Sequence, residues 1–294
     1  MKICVFVLYY NDSTLHYIQN NPTFQPHLQN WLFPLFIRTT RYLESTAFLE
    51  TLFQPEIYSQ WVDADYVGTL SWKWDKKINA TKTIRSIQYL LSSSRSLPSS
   101  YLLDVYYFHQ LKDCNLYEQG GRHHKNFKAI WDTLLGDRMG YPKNEIRSSS
   151  FPFFPFNYWI CRPSWMIRYH DFLLKIKKVT ETDSVLNNLL LEDANYGGHT
   201  VRDRERLNNI MGRPYYTHHC FVMERLPCFF LWKEGASSTD LNEWIDKRIL
   251  PPDFNWSFYV HHYPDLWDAG IRNYQKAKEH FLNHGYLERR QFKP

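Results

Sequence analysis

The sequence predicts an α/β protein, with a mainly parallel sheet flanked by helices in residues 1–236 and a small helical unit in residues 237–294. Three observations predict it. The chain opens on a continuous apolar run, "ICVFVLYY", as expected of a strand covered on both faces. Short β-rich runs then alternate with longer segments of helical period, the pattern of parallel sheets with crossover helices. From about Ser237 the strands give way to a compact helical stretch, "DFNWSFYVHHYPDLWDAGIRNYQKAKEHFLNHGYLERR".

In chain order, "ICVFVLYY" ends at "YND", where a strand opens into a loop at its carboxyl end. The segment "LQNWLFPLFIRTTRYLESTAFLETLF" has apolar residues at helical spacing and reads as one or two helices, interrupted at Pro34 and stopped at Pro55. "DYVGTLSW" reads as a second strand, "KWDKKINATKTIRSIQYLL" as a polar turn into a helix, and "SSSRSLPSS" as a loop. "YLLDVYYFHQ" is a third strand, and after the "GGRHH" break "KNFKAIWDTLL" is a helix. "FNYWIC" is a further strand, and "PSWMIRYHDFLLKIKKV" a helix with Pro163 suited to its first turn. "TDSVLNNLLLEDAN" continues in helical character. "YYTHHCFVMERLPCFFLWKEG" permits strand, helix or one passing into the other, and Gly270 and Gly285 are helix stops in the tail.

Composition narrows the function classes. A chain of 294 residues that is 44% hydrophobic fills a large core, which excludes global disorder. The 18% aromatic content supplies core volume and also flat faces that stack on sugars or bases. The formal charge of +5 comes from Lys and Arg scattered among 30 acids, without the dense cluster of a domain that tracks nucleic acid. No nucleic-acid partner is expected. Cys4, Cys114, Cys161, Cys220 and Cys228 are odd in number and contain no CxxC, so neither a disulfide framework nor a zinc site is suggested. A reducing compartment, the cytoplasm, fits. "MKICVFVLYYND" is too short for a membrane span and has no small-residue cleavage site, and no run of about 18 uncharged apolar residues follows it. No transmembrane segment is expected, and peripheral membrane contact through Trp and Tyr clusters stays open.

Ligands of an open α/β sheet bind outside the carboxyl ends of its strands. Asp63-Ala64-Asp65 has the form of a metal-holding carboxylate pair, but it precedes its strand and so belongs at the wrong end. The residues that emerge at the right end are Tyr9, Tyr10, Asn11 and Asp12 after the first strand, and Ser71 to Asp75 after the second. Tyr9, Asn11 and Asp12 suit a base and ribose. Lys73 suits phosphate charge, Trp72 or Trp74 a stacked ring, and Asp75 a hydroxyl or a metal. An Asx turn after the first strand and a solvated end to the second are the plain alternatives. The pairs His123-His124 and His218-His219 point in different directions on any regular element and have no third ligand spaced to join them. Glu224 and Arg225 are charges inside an apolar segment, where a carboxylate is either paired or used as a base.

The runs "FQPEIYSQWVDADYVGTLSWKWDKK", "FNYWICRPSWMIRYHDFLLKI" and "HCFVMERLPCFFLW" stand in the order seen in a group of bacterial and large-virus polysaccharide glycosyltransferases, and the chain resembles that DUF4422-like family. Asp65 to Gly68 match its "DYIG" strand, Asn157 to Ile160 its "NMFI"-type strand, and Glu224 to Leu226 its "ERL" segment. Where that family carries "HYRR", this chain reads "SWKW", leaving Lys73 as the basic residue. The tail resembles a "YPDL…AGI…HFL.HG" unit found beside glycosyltransferase domains. The resemblance implies a GT-A-like (Rossmann-like) domain. It also implies a nucleotide-sugar donor, a UDP-sugar first, and a glycan acceptor hydroxyl. Manganese or magnesium is left open. Glu224 is then the base, Lys73 and Arg225 meet the phosphates, and Asn157 joins the donor site by resemblance alone. The competing reading is a carbohydrate-binding or adaptor protein that stacks sugars on Trp72, Trp74 and Trp159 without chemistry.

Overall fold

The computed structural model describes residues 1–93, 102–109, 111, 115–154, 157–197, 200–246, 250, 253–285, 288 and 290–294. Cys114 and most of the loop expected over 92–100 lie outside the described residues. Six strands form one sheet in the order β2-β1-β3-β5-β4-β6, namely Leu32–Phe36, Ile3–Tyr9, Tyr66–Ser71, Trp159–Cys161, Val105–Tyr107 and Ser238–Asp240. All pair in parallel except β5, which is antiparallel to both β3 and β4. The sheet is thus mixed but mostly parallel, with helices on its faces, a Rossmann-like plan.

β1 explains why its sequence is apolar without alternation. Cys4, Phe6 and Leu8 face one core cluster, while Ile3, Val5 and Val7 face the other. Successive side chains of a strand point to opposite faces, and here both faces are covered. The first cluster packs helix Pro163–Thr182 through Met166, Tyr169 and Leu173, and the second packs helix Ala80–Ser93 through Ile84, Ile87 and Leu90. Gly68 sits where β3 crosses β5, and a Cβ there would lie 2.0 Å from the Trp159 carbonyl oxygen. The glycine of "DYVG" is therefore demanded by strand packing.

Two strands depart from the sequence reading. Leu32–Phe36 was expected to be helical and is β2, with Pro34 inside it. It lies at the edge of the sheet, where proline's missing N–H costs no ladder bond. β6 pairs with β4, and helix Leu241–Asp246 packs on helix Ala80–Ser93, so the sheet runs on past residue 236, where the sequence placed the boundary of the first unit. Beyond it, helices Trp256–His262, Pro264–Asp268 and Tyr274–His280 close on their own cluster of Tyr259, Val260, Leu266, Ala277 and Phe281. Asn255 and Asn273 cap two of these helices. No helix among the described residues is long and apolar enough to cross a membrane.

Candidate functional site

A cleft of about 890 Å³ opens at the carboxyl ends of β1 and β3. The segment after β1 contributes Tyr10 and Asn11, and the segment after β3 contributes Trp72, Lys73 and Lys77. Asn157, which leads into β5, forms part of the same lining, and so do Glu224 and Arg225. The volume lies in the range of small-molecule sites.

Some residues expected at the site are placed elsewhere. Tyr9 packs edge-on against Phe36 at 5.6 Å. Asp12 is an exposed first-turn residue of helix Asp12–Asn20, where its charge favours the helix N-terminus. Asp75 accepts from Tyr17 Oη at 2.8 Å and Asn21 Nδ2 at 3.0 Å, which ties the β3 loop to helix Asp12–Asn20 and its exit instead of lining the cleft. Asn11 lines the cleft, but its Oδ1 accepts from Thr14 N–H at 3.0 Å, so it also caps that helix as the plain Asx reading expected. Of the three rings offered for sugar stacking, only Trp72 reaches the cleft. Trp74 and Trp159 are fully buried and stack on Phe24 and Phe48.

Glu224 and Arg225 form the turn between helices His218–Met223 and Leu226–Lys233. Pro227, early in the second helix, has no N–H to continue the first. The Arg225 guanidinium is buried. It donates to Phe221 O at 2.8 Å and Gln119 Oε1 at 2.5 Å, and one nitrogen lies 3.8 Å from Glu224 Oε2. Arg225 thus braces the cleft wall on which Glu224 stands.

Glu44 was missed by the sequence reading. It follows Leu43, which holds φ 47° in the left-handed region, and both line the cleft. Burial raises the Glu44 carboxyl above its ordinary range, and Lys77 and Lys73 oppose that rise while Glu224 adds to it. The Tyr10 hydroxyl is itself pushed up, by burial first and the charge of Glu44 second. The cleft therefore sets two carboxylates against two lysines. Leu43, Asn157 and Asn195 are three of the five non-glycine residues with positive φ among the described residues, and all three line the cleft. Backbone held in sparsely populated conformations collects at functional sites. The signal available in the sequence was a lone acid in the otherwise uncharged "YLESTAFL".

The two ends of β3 differ as expected. Asp63 and Asp65 are exposed at its amino end, and Asp65 Oδ2 accepts from the Lys2 N–H at 2.7 Å. His218 and His219 are buried, and burial lowers their pKa values to about 4 and about 3. His124, stacked on Phe221 with ring centroids 3.9 Å apart, is lowered to about 4, by burial first and Arg225 second. No group of three or more metal-ligating side chains occurs among the described residues.

Fold and site define a class: an open α/β protein with a cleft at the carboxyl ends of its central strands. No family model, no curated protein and no solved structure matches this chain.

Proposed function

We propose that the protein is a GT-A-type glycosyltransferase of the DUF4422-like kind, acting in polysaccharide or glycoprotein glycan synthesis in the cytoplasm. It takes a sugar from a nucleotide-diphosphate sugar, a UDP-sugar first, and passes it to a hydroxyl of a glycan acceptor. The observation that carries the reading is the meeting of the post-β1 and post-β3 segments in one cleft that is lined by Lys73 and Lys77 as well as Glu44 and Glu224. In the transfer, the acceptor oxygen bonds to the anomeric carbon as the bond from that carbon to the diphosphate oxygen breaks. The acceptor proton passes to a carboxylate, and the nucleoside diphosphate leaves with the bonding pair. Glu224 is the carboxylate that takes that proton. Lys73 and Lys77 meet the charge that grows on the departing phosphate. Trp72, half-buried at the rim, offers a ring face.

A panel of UDP-, GDP- and TDP-sugars, each with and without manganese, tests this by thermal unfolding. A donor present at a hundredfold excess over its Kd stabilises by about 2.7 kcal/mol, a rise of roughly 5 °C. One donor is expected to give that shift. A flat panel in both metal arms sinks the reading. A manganese-dependent shift abolished by Asp63→Ala and Asp65→Ala would move the donor site to the other end of the strand.

A further inference from the structure

The least satisfied polar group of the cleft lies on its floor. Asn157 is 3% exposed, its Oδ1 is buried with no hydrogen-bond partner, and its Nδ2 reaches only Ser45 Oγ at 3.5 Å. Its backbone carbonyl accepts from Thr69 Oγ1 at 3.1 Å, and its φ of 56° is left-handed, so the side chain is held on a fixed base. Ser45 follows Glu44 in the chain, and Glu44, Ser45, Tyr10 and Asn157 all line the same cleft. Next door, the Tyr158 hydroxyl is spent on Ser71 Oγ.

A buried polar atom without a partner costs roughly 1–3 kcal/mol, so an orphan in a cleft lining points to a ligand group that completes it. Whichever way the Asn157 amide faces, one of its polar ends lacks a good partner. A hydroxyl, donor and acceptor at once, satisfies either end. The same holds at Glu44, which accepts from a hydroxyl when ionised and donates to one when protonated. A carbonyl or an ammonium would suit one state of each group and not the other.

We propose that Asn157, Glu44 and Tyr10 form a diol-recognition subsite, in which one sugar hydroxyl bonds the Asn157 amide and its neighbour bonds the Glu44 carboxyl. The subsite rests on the glycosyltransferase reading for its place in the reaction, where it holds the sugar that is transferred and not the nucleotide. Asn157 and Glu44 are then specificity determinants, and they favour sugars that carry adjacent free hydroxyls over deoxy analogues.

The test compares binding of UDP, UDP-glucose, UDP-galactose, UDP-N-acetylglucosamine, their deoxy analogues and the free methyl glycosides to the full chain and to three variants. Asn157→Gly keeps the left-handed backbone and removes the amide. Asn157→Asp and Glu44→Gln keep the shape and change the hydrogen bonding, and so remain informative if the glycine variant folds poorly. Each variant is expected to weaken the preferred UDP-sugar about tenfold while leaving UDP unchanged, and to erase the preference over its deoxy analogue. If UDP-sugars bind and the variants lose nothing, or lose UDP equally, the subsite is wrong and the transferase reading stands. If no UDP-sugar binds but a methyl glycoside does, and the variants lose it, the subsite stands and the transferase reading falls. If neither nucleotide sugar nor glycoside binds, both fall.

Discussion

The two ends of β3 both carry charged residues, acidic at one and mainly basic at the other, and the fold uses them differently. At the amino end Asp63 and Asp65 stand exposed, and Asp65 serves to anchor the Lys2 N–H beside the start of β1. About 20 Å along the strand, Trp72 and Lys73 join Tyr10, Glu44 and Asn157 in a cleft. Position on the sheet, not residue type, separates the two. The parallel strands splay their loops apart at the carboxyl ends and leave a crevice there, while at the amino end of β3 Asp63 and Asp65 stand exposed.

The sharpest consequence is acid sensitivity on the cleft side. His124, His218 and His219 are buried and neutral, with folded pKa values of about 4, about 4 and about 3 against an ordinary 6.5. The unfolded chain takes up these protons first as pH falls, so the stability they confer is complete above about pH 6.5 and is lost on descending towards pH 4. A tenfold difference in proton affinity between the folded and unfolded chain is worth about 1.4 kcal/mol, so the loss reaches roughly 3 kcal/mol for each of His124 and His218. The groups facing them act in opposite senses: Glu192 and Asp193 support charge on His218 and temper the loss there, while Arg225, His218 and His123 oppose charge on His124 and deepen it. Urea unfolding from pH 7.5 to 4.5 should show the midpoint falling steeply below pH 6.5. His218→Leu should flatten that limb without weakening the protein at pH 7.5, because neither ring nitrogen of His218 has a hydrogen-bond partner. An acid limb that His218→Leu leaves unchanged would remove His218 from the explanation.

The same two ends mark what a sequence can and cannot convey. β1, β3 and helix Pro163–Thr182 were legible because their patterns are long and governed by burial: two-faced in the strands, amphipathic with Pro163 at the start in the helix. The end of β3 that opens into the cleft was legible from strand direction alone. β2 was not, because "LFPLF" matches helical and strand spacing equally, and only its place at the sheet edge makes Pro34 tolerable. β6 hides in "STD", three polar residues whose pairing to β4 is a tertiary fact. Glu44 was missed because its segment reads as one or two helices packing on the sheet. In the fold that segment breaks at Leu43, whose left-handed backbone carries the next residue to the cleft. Asp75 and Asn11 were read as ligand groups from their position and turned out to hold helix Asp12–Asn20 in place, work that a sequence offers no means of separating from binding.

A middle-sized effect comes from the cation nearest the loop end. Lys73 Nζ lies 5.4 Å from the centre of the Trp72 ring and faces the cleft with Lys77. If these lysines meet a diphosphate, Lys73→Ala weakens the donor found by the panel about tenfold, the size of one charge-assisted hydrogen bond. The loss should shrink between 0.05 and 0.5 M salt, since screening removes part of what the lysine supplied. Isothermal titration across that range measures it. A loss that does not respond to salt would mean that Lys73 shapes the loop instead of meeting charge.

The smallest expected effect is at the amino end, and its smallness is what makes it decisive. Asp65→Asn keeps an oxygen to accept the Lys2 N–H and removes only an exposed charge, so stability should move by about 0.5 kcal/mol or less. Donor affinity should not move at all, with or without manganese, because the residue lies a strand's length from the cleft. Lys73→Ala and Asp65→Asn measured side by side in the same titration then read the two ends of one strand against each other. A tenfold change at both ends would mean that the ligand or its metal spans the strand. A change at Asp65 alone would reverse the polarity of the site, and with it the roles given to Glu44, Asn157 and Glu224.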